Sequence, residues 1–184
     1  MRFWDASALV PLLVREVATP WAEGLLAEDG ERVVAWVAEV EAASALSRRR
    51  REGVLKDEDH ALALKRLRRL KAAWHEVLPA ERVRREALRL LQAHPLRTLD
   101  ALQLASLVVA AEGDPEALPL VTLDGRLALT ALGGRSRVRT FGIIPACSPW
   151  TFRAKRPWSW GSPTSGAWAS PSPRSSSGRG RRWP

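Results

Sequence analysis

Four acidic residues, Asp5, Glu41, Asp100 and Asp124, stand where their type and surroundings could do chemistry together. Asp5 ends the short apolar start at residues 2–4, and Asp124 ends the apolar run 118–123. Glu41 falls in the first turn or so of a helix that follows residues 32–36, and Asp100 in the first turn of the apolar segment 99–111. In an open parallel sheet, residues just past the strands converge on one crevice at the carboxyl edge, however far apart they lie in sequence. Carboxylates gathered there repel one another, and the cluster persists when cations neutralise it; hard oxygen ligands of this kind select Mg²⁺ or Mn²⁺. Each acid alone also has an ordinary structural reading. Asp5 and Asp124 suit helix caps, Asp100 suits a first helical turn, and Glu41 could be solvated like its neighbour Glu39. No Gly-Lys-Ser/Thr loop, paired His/Cys ligand spacing or Gly-x-Ser-x-Gly elbow is present. His60, His75 and His94 are isolated and read as surface or core filler.

The elements that must position these acids follow from hydrophobic spacing. A strand at 2–4 leads into a helix over 7–15. A second helix spans 19–28, with Thr19 as its cap and Pro20 at its first position. Residues 32–36 read as a buried β-branched strand, and 37–52 as an Ala-rich helix stopped by Gly53. Leu64, Leu67, Leu70 and Trp74 extend one amphipathic helix over 57–77, and a further helix covers 81–93. Thr98 would cap the helix 99–111, which is apolar on every side and therefore buried. A strand over 118–123, a helix from Asp124 to Leu132 and a strand over 137–142 complete the pattern. Strands separated by helices imply a parallel sheet covered on both faces: an α/β fold with three layers, α/β/α, and about four to five short strands.

The formal charge of +9 resembles a nucleic-acid signature, but its distribution is uneven. Residues 1–144 hold 22 Lys and Arg against all 20 Asp and Glu, whereas residues 145–184 hold 7 basic residues and no acid. Half of those last 40 residues are Ser, Pro or Gly. The chain thus reads as a domain over 1–144 and a basic, disordered tail over 145–184. Five of the nine Trp lie in the tail; it reads as an extension without selected function, or as an RNA contact through Trp stacking and the basic stretch 179–182. The runs Arg48 to Arg51 and Lys65, Arg66, Arg68, Arg69, Lys71 are wet helix faces that could also follow an RNA backbone. A single cysteine, Cys147, allows no internal disulfide, and no apolar run suits a signal peptide or membrane span. A cytoplasmic protein is expected, with no membrane association.

The words around the four acids resemble those of the PIN-domain nucleases and, within them, the VapC-type toxins of toxin–antitoxin pairs. Phe3-Trp4-Asp5-Ala6-Ser7-Ala8-Leu9-Val10 is similar to the family's strand-ending Asp-x-Ser/Thr-Ala-Leu. Val40-Glu41-Ala42-Ala43-Ser44-Ala45-Leu46 is similar to its helix-borne Glu, and Leu99-Asp100-Ala101-Leu102-Gln103-Leu104-Ala105 supplies the third word. Val121-Thr122-Leu123-Asp124-Gly125-Arg126-Leu127 resembles its Thr-x-Asp-x-Arg-Leu turn. Order, spacing and flanks agree from about residue 1 to about 142.

The resemblance implies a metal-dependent ribonuclease in which Asp5, Glu41, Asp100 and Asp124 coordinate one or two Mg²⁺ or Mn²⁺. Such ions polarise a scissile phosphate, activate water and stabilise the departing oxygen, so no protein nucleophile is needed. Ser7, Thr122 and Arg126 would be auxiliary: Ser7 orienting a carboxylate or a bound water, Arg126 anchoring its turn. A VapB-like antitoxin is the implied protein partner, expected on the apolar faces of residues 7–15 and 37–51, and a homodimer is the implied assembly. The rival readings are a PIN-type processing or decay nuclease without an antitoxin, and a non-catalytic RNA-binding module.

Overall fold

The computed structural model describes residues 1–114, 116–134 and 136–141. In chain order these form β1 (Arg2–Trp4), α1 (Ala6–Leu13), α2 (Thr19–Glu28), β2 (Arg32–Ala35), α3 (Ala38–Arg51), α4 (Asp57–Lys71), β3 (Trp74–Val77), α5 (Glu81–Ala93), α6 (Thr98–Ala110), β4 (Leu120–Val121), α7 (Gly125–Gly133) and β5 (Val138–Arg139). The strands make one sheet in the order β3-β2-β1-β4-β5, with every neighbouring pair parallel. Parallel neighbours cannot be joined by a hairpin, so each connection crosses a face of the sheet and leaves helices there.

Successive side chains of β1 point to opposite faces, and the two halves of the core follow from that. Phe3 enters a cluster with Val33, Ala35, Leu90, Leu104 and Leu107, under α5 and α6. Trp4 enters another with Leu9, Ala22, Leu25 and Val34, under α1 and α2. A third cluster, including Val10, Leu13, Ala42, Leu46, Ala63 and Leu67, joins α1, α3 and α4. The result is the three-layer α/β/α arrangement expected from the sequence.

One long helix proves to be two elements. The expected helix over 57–77 stops at Lys71, and Trp74–Val77 pairs with β2 in the register Arg32↔Trp74 to Ala35↔Val77. The apolar rhythm hid the change because Trp74 packs on the same cluster as Leu64 and Leu70. Pairing with β2 gives the backbone of Trp74–Val77 the hydrogen-bond partners that helical continuation would otherwise supply. The strands expected over 118–123 and 137–142 are seen at Leu120–Val121 and Val138–Arg139, residue 142 lying outside the described residues.

Two expected caps also differ. Thr19 is already helical; its hydroxyl donates to Pro11 O at 2.8 Å and accepts from Glu16 N at 2.8 Å, fastening the turn between α1 and α2. Thr98 is likewise the first helical residue of α6, and Arg97 occupies the cap position. That helix is buried along Ala101, Gln103, Leu104, Ala105, Ser106 and Leu107, while Leu99 stays exposed. Among the described residues no helix is long and apolar enough to cross a membrane. The expected disordered tail, Cys147 and the five tail tryptophans lie outside the described residues.

Candidate active site

The strand order reverses direction at β1: β2 and β3 lie to one side, β4 and β5 to the other. The switch point therefore lies between β1 and β4, whose carboxyl ends are the place where open α/β sheets hold ligands. Asp5 follows β1 and Asp124 follows β4, and the Asp5 N–H donates to Val121 O at 3.0 Å, locking the two strand ends together.

Asp5 is 6% exposed and caps α1. Its Oδ2 accepts from Ser7 N at 3.1 Å, from the Ser7 hydroxyl, and from Thr122 Oγ1 at 3.0 Å. Each hydroxyl also accepts from the loop after β4: Leu123 N donates to Ser7 Oγ at 2.8 Å, and Asp124 N donates to Thr122 Oγ1 at 3.0 Å. Ser7 and Thr122 thus fix Asp5 and Asp124 relative to each other. Asp124 in turn caps α7, its Oδ1 accepting from Arg126 N at 2.8 Å and Leu127 N at 3.0 Å. The backbone of Arg126, not its exposed guanidinium, anchors this turn.

The other two acids come from the helices. Asp100 Oδ2 accepts from Arg97 N at 3.3 Å in the first turn of α6. Glu41 lies in the first turn of α3, and its Oε2 accepts from Gln103 Nε2, which reaches across from α6. Glu39, by contrast, is engaged in an ion pair with Lys71. Each of the four carboxylates therefore has one oxygen held by the protein. Among the described residues no hydrogen bond reaches the remaining oxygen, Asp5 Oδ1, Glu41 Oε1, Asp100 Oδ1 or Asp124 Oδ2, and no Lys or Arg pairs with any of the four.

The electrostatics link the set. Burial pushes the Asp5 carboxyl above its ordinary value; the hydrogen bonds from Ser7 and Thr122 pull it down, and the charge of Asp124 pushes it further up. Glu41 is pushed up to about 7, by burial first and then by the charges of Asp5 and Asp100, against the hydrogen bond from Gln103. Like charges raise a carboxyl only when they are near. Among the described residues, however, no three Asp, Glu, His or Cys side chains stand close enough together to hold a metal as they lie. Among the described residues these hard oxygen donors have no Lys or Arg partner, and a set of this chemistry is suited to Mg²⁺ or Mn²⁺.

Sequence reasoning missed Gln103 as part of this constellation. Its signal is a lone amide in an apolar helix, one turn from Asp100 and hence on the same face. The histidines stand apart from the acids: His60 is buried with its Nε2 3.3 Å from Ser47 Oγ, and His75 is exposed on β3. Most apolar residues of the faces expected to receive an antitoxin are internal, because α1 and α3 bury them against each other and against α4, whereas Val40 stays exposed. The open surface nearby is a groove of about 630 Å³ lined by Pro11, Leu12, Leu55, Leu62, Glu23 and Arg66, among others.

Comparison with known proteins gives three findings. The family model for the PIN domain matches residues 2–132. Among solved structures, PAE2754 from Pyrobaculum aerophilum is 22% identical, with a TM-score of 0.54 over 74% of this chain and 81% of that one. A chain of a toxin–antitoxin complex from Klebsiella pneumoniae is 13% identical, with a TM-score of 0.49 over 68% of this chain and 88% of that one. The likeness to PAE2754 is one of fold. No curated protein matches the chain.

Proposed function

Because the chain belongs to the PIN domain family, whose members are generally nucleases, we propose that it is a Mg²⁺- or Mn²⁺-dependent ribonuclease, and the toxin of a type II toxin–antitoxin pair. The observation that carries the enzymatic reading is the arrangement of oxygens: four carboxylates, each with one oxygen fixed by the protein and, among the described residues, one without a hydrogen-bond donor or basic partner. Raised protonation at Asp5 and Glu41 marks an unneutralised set, as expected of a cation site. The toxin assignment rests on the resemblance of the four sequence words to VapC-type toxins.

In this reading Asp5, Glu41, Asp100 and Asp124 hold the cation, directly or through water. When bound, it supplies a Lewis acid for the phosphate and lowers the pKa of water. The chain contributes position: Ser7 and Thr122 hold Asp5 and Asp124 in register, and the N-terminal turn of α6 holds Asp100. Exposed Arg51, Lys65, Arg68 and Arg69 are available to RNA phosphates. Arg49 and Lys71 are engaged instead by Glu16 and Glu39. The groove between α1, α2 and α4, where Leu12, Leu55 and Leu62 lie among Arg15, Glu23, Asp59 and Arg66, is the surface on which an antitoxin segment would be received.

The experiment is cleavage of labelled single-stranded RNA by the full chain with Mn²⁺, with EDTA, and by Asp100→Asn with Mn²⁺. Cleavage only in the first is expected. Equal cleavage in all three would overturn the metal-nuclease reading.

A further inference from the structure

We propose that Gln103 is a positioning residue for the cation: its amide holds Glu41 in the orientation that leaves Glu41 Oε1 free to serve as a ligand. The inference rests on the metal-nuclease reading above and adds to it a residue that touches no metal.

Gln103 is 2% exposed, within a helix whose other buried residues are Ala101, Leu104, Ala105, Ser106 and Leu107. An apolar side chain of similar length would fit such a place at less cost, because a buried amide has donors and acceptors to satisfy. Gln103 does not satisfy them all. Its Nε2 donates to Glu41 Oε2, while its buried Oε1 has no partner among the described residues. A buried polar atom left unpaired is costly to the fold, so the residue is poorly explained as a stability element. Its one hydrogen bond joins residues 62 positions apart, on α6 and α3, the two helices that carry Asp100 and Glu41. Asp100 and Gln103 are one turn apart on α6, so a single rigid helix sets both a carboxylate and the support of another. An outer partner that fixes the orientation of a metal ligand is a recurrent feature of metal sites.

The test is calorimetric titration of the full chain with MnCl₂ at pH 8, alongside thermal melting of the metal-free protein. Gln103→Met keeps length and removes the donor; Mn²⁺ should bind about 10-fold or more weakly, as for loss of an outer-shell partner. Its metal-free melting temperature should not fall, because an amide with an unpaired oxygen has been replaced by an apolar chain. Gln103→Asn withdraws the amide by one methylene and should weaken Mn²⁺ binding similarly; it provides a second measurement should the Met variant misfold. Undiminished Mn²⁺ affinity in a folded variant, with or without a lower melting temperature, would overturn the inference and leave the nuclease reading standing. Failure of the unmodified chain to bind Mn²⁺ would overturn both.

Discussion

Asp5→Asn is expected to reduce Mn²⁺-dependent RNA cleavage by at least about 100-fold, the upper end of what loss of a mere outer-shell partner costs, without lowering the melting temperature of the metal-free protein. The two halves of this expectation have different physical origins. Asp5 is almost wholly buried, and burial raises its carboxyl. At neutral pH the ionised form is therefore a burden on the fold, which a neutral amide removes. Asparagine also caps helices about as well as aspartate, so its side-chain oxygen can still accept from Ser7 N. What it cannot supply is the negative charge a divalent cation requires. Cleavage assays and thermal melts on the same preparation separate these effects. Near-normal cleavage would remove Asp5 from the metal site, and a collapsed melting temperature would make it a structural residue.

A second large effect is expected with pH. Glu41 is raised from 4.5 to about 7 in the folded chain. The protonated form is therefore favoured by folding, and the stability it contributes is complete below about 4.5 and lost as pH rises through 7. The metal-free protein should melt a few degrees lower at pH 8 than at pH 5, the shift being limited because Glu41 is only half-buried. Asp5 is shifted in the same direction. Glu41→Gln should flatten most of the decline. With Mn²⁺ present the sign reverses, because the cation binds the ionised carboxylate in competition with protons. Mn²⁺ should stabilise strongly at pH 8 and little at pH 5, and kcat/KM at low Mn²⁺ should fall by about tenfold per unit below pH 7. Melting curves with and without Mn²⁺ at the two pH values check this; equal stabilisation by Mn²⁺ at both would count against Glu41 as a ligand.

Much of the candidate site was legible because the relevant interactions are local. Asp5 and Ser7, or Thr122, Asp124 and Arg126, meet within a single turn, so short words carry their geometry. The strands at Arg2–Trp4 and Arg32–Ala35 were legible because each is a short apolar or β-branched run behind a single Arg, as burial on both faces demands. What was hidden depends on partners distant in sequence. Trp74 continues the helical rhythm of α4 and reveals itself as a strand residue only beside Arg32. The placement of β1 between β2 and β4, which puts the switch point between Asp5 and Asp124, is a property of the sheet that no local word encodes. Gln103 reads as an incidental amide until Glu41 stands opposite it. The apolar faces of α1 and α3 looked available because amphipathic spacing shows that a face is buried without showing what buries it.

Everything chemical in this account depends on a cation drawing together the four free carboxylate oxygens. The direct measurement is anomalous diffraction at the manganese edge from crystals of the full chain equilibrated with Mn²⁺ at pH 8. The expected result is a peak enclosed by Asp5, Glu41, Asp100 and Asp124, in contact with their oxygens or with water held by them. A switch point without such a peak, in crystals that carry manganese elsewhere, would contradict the account.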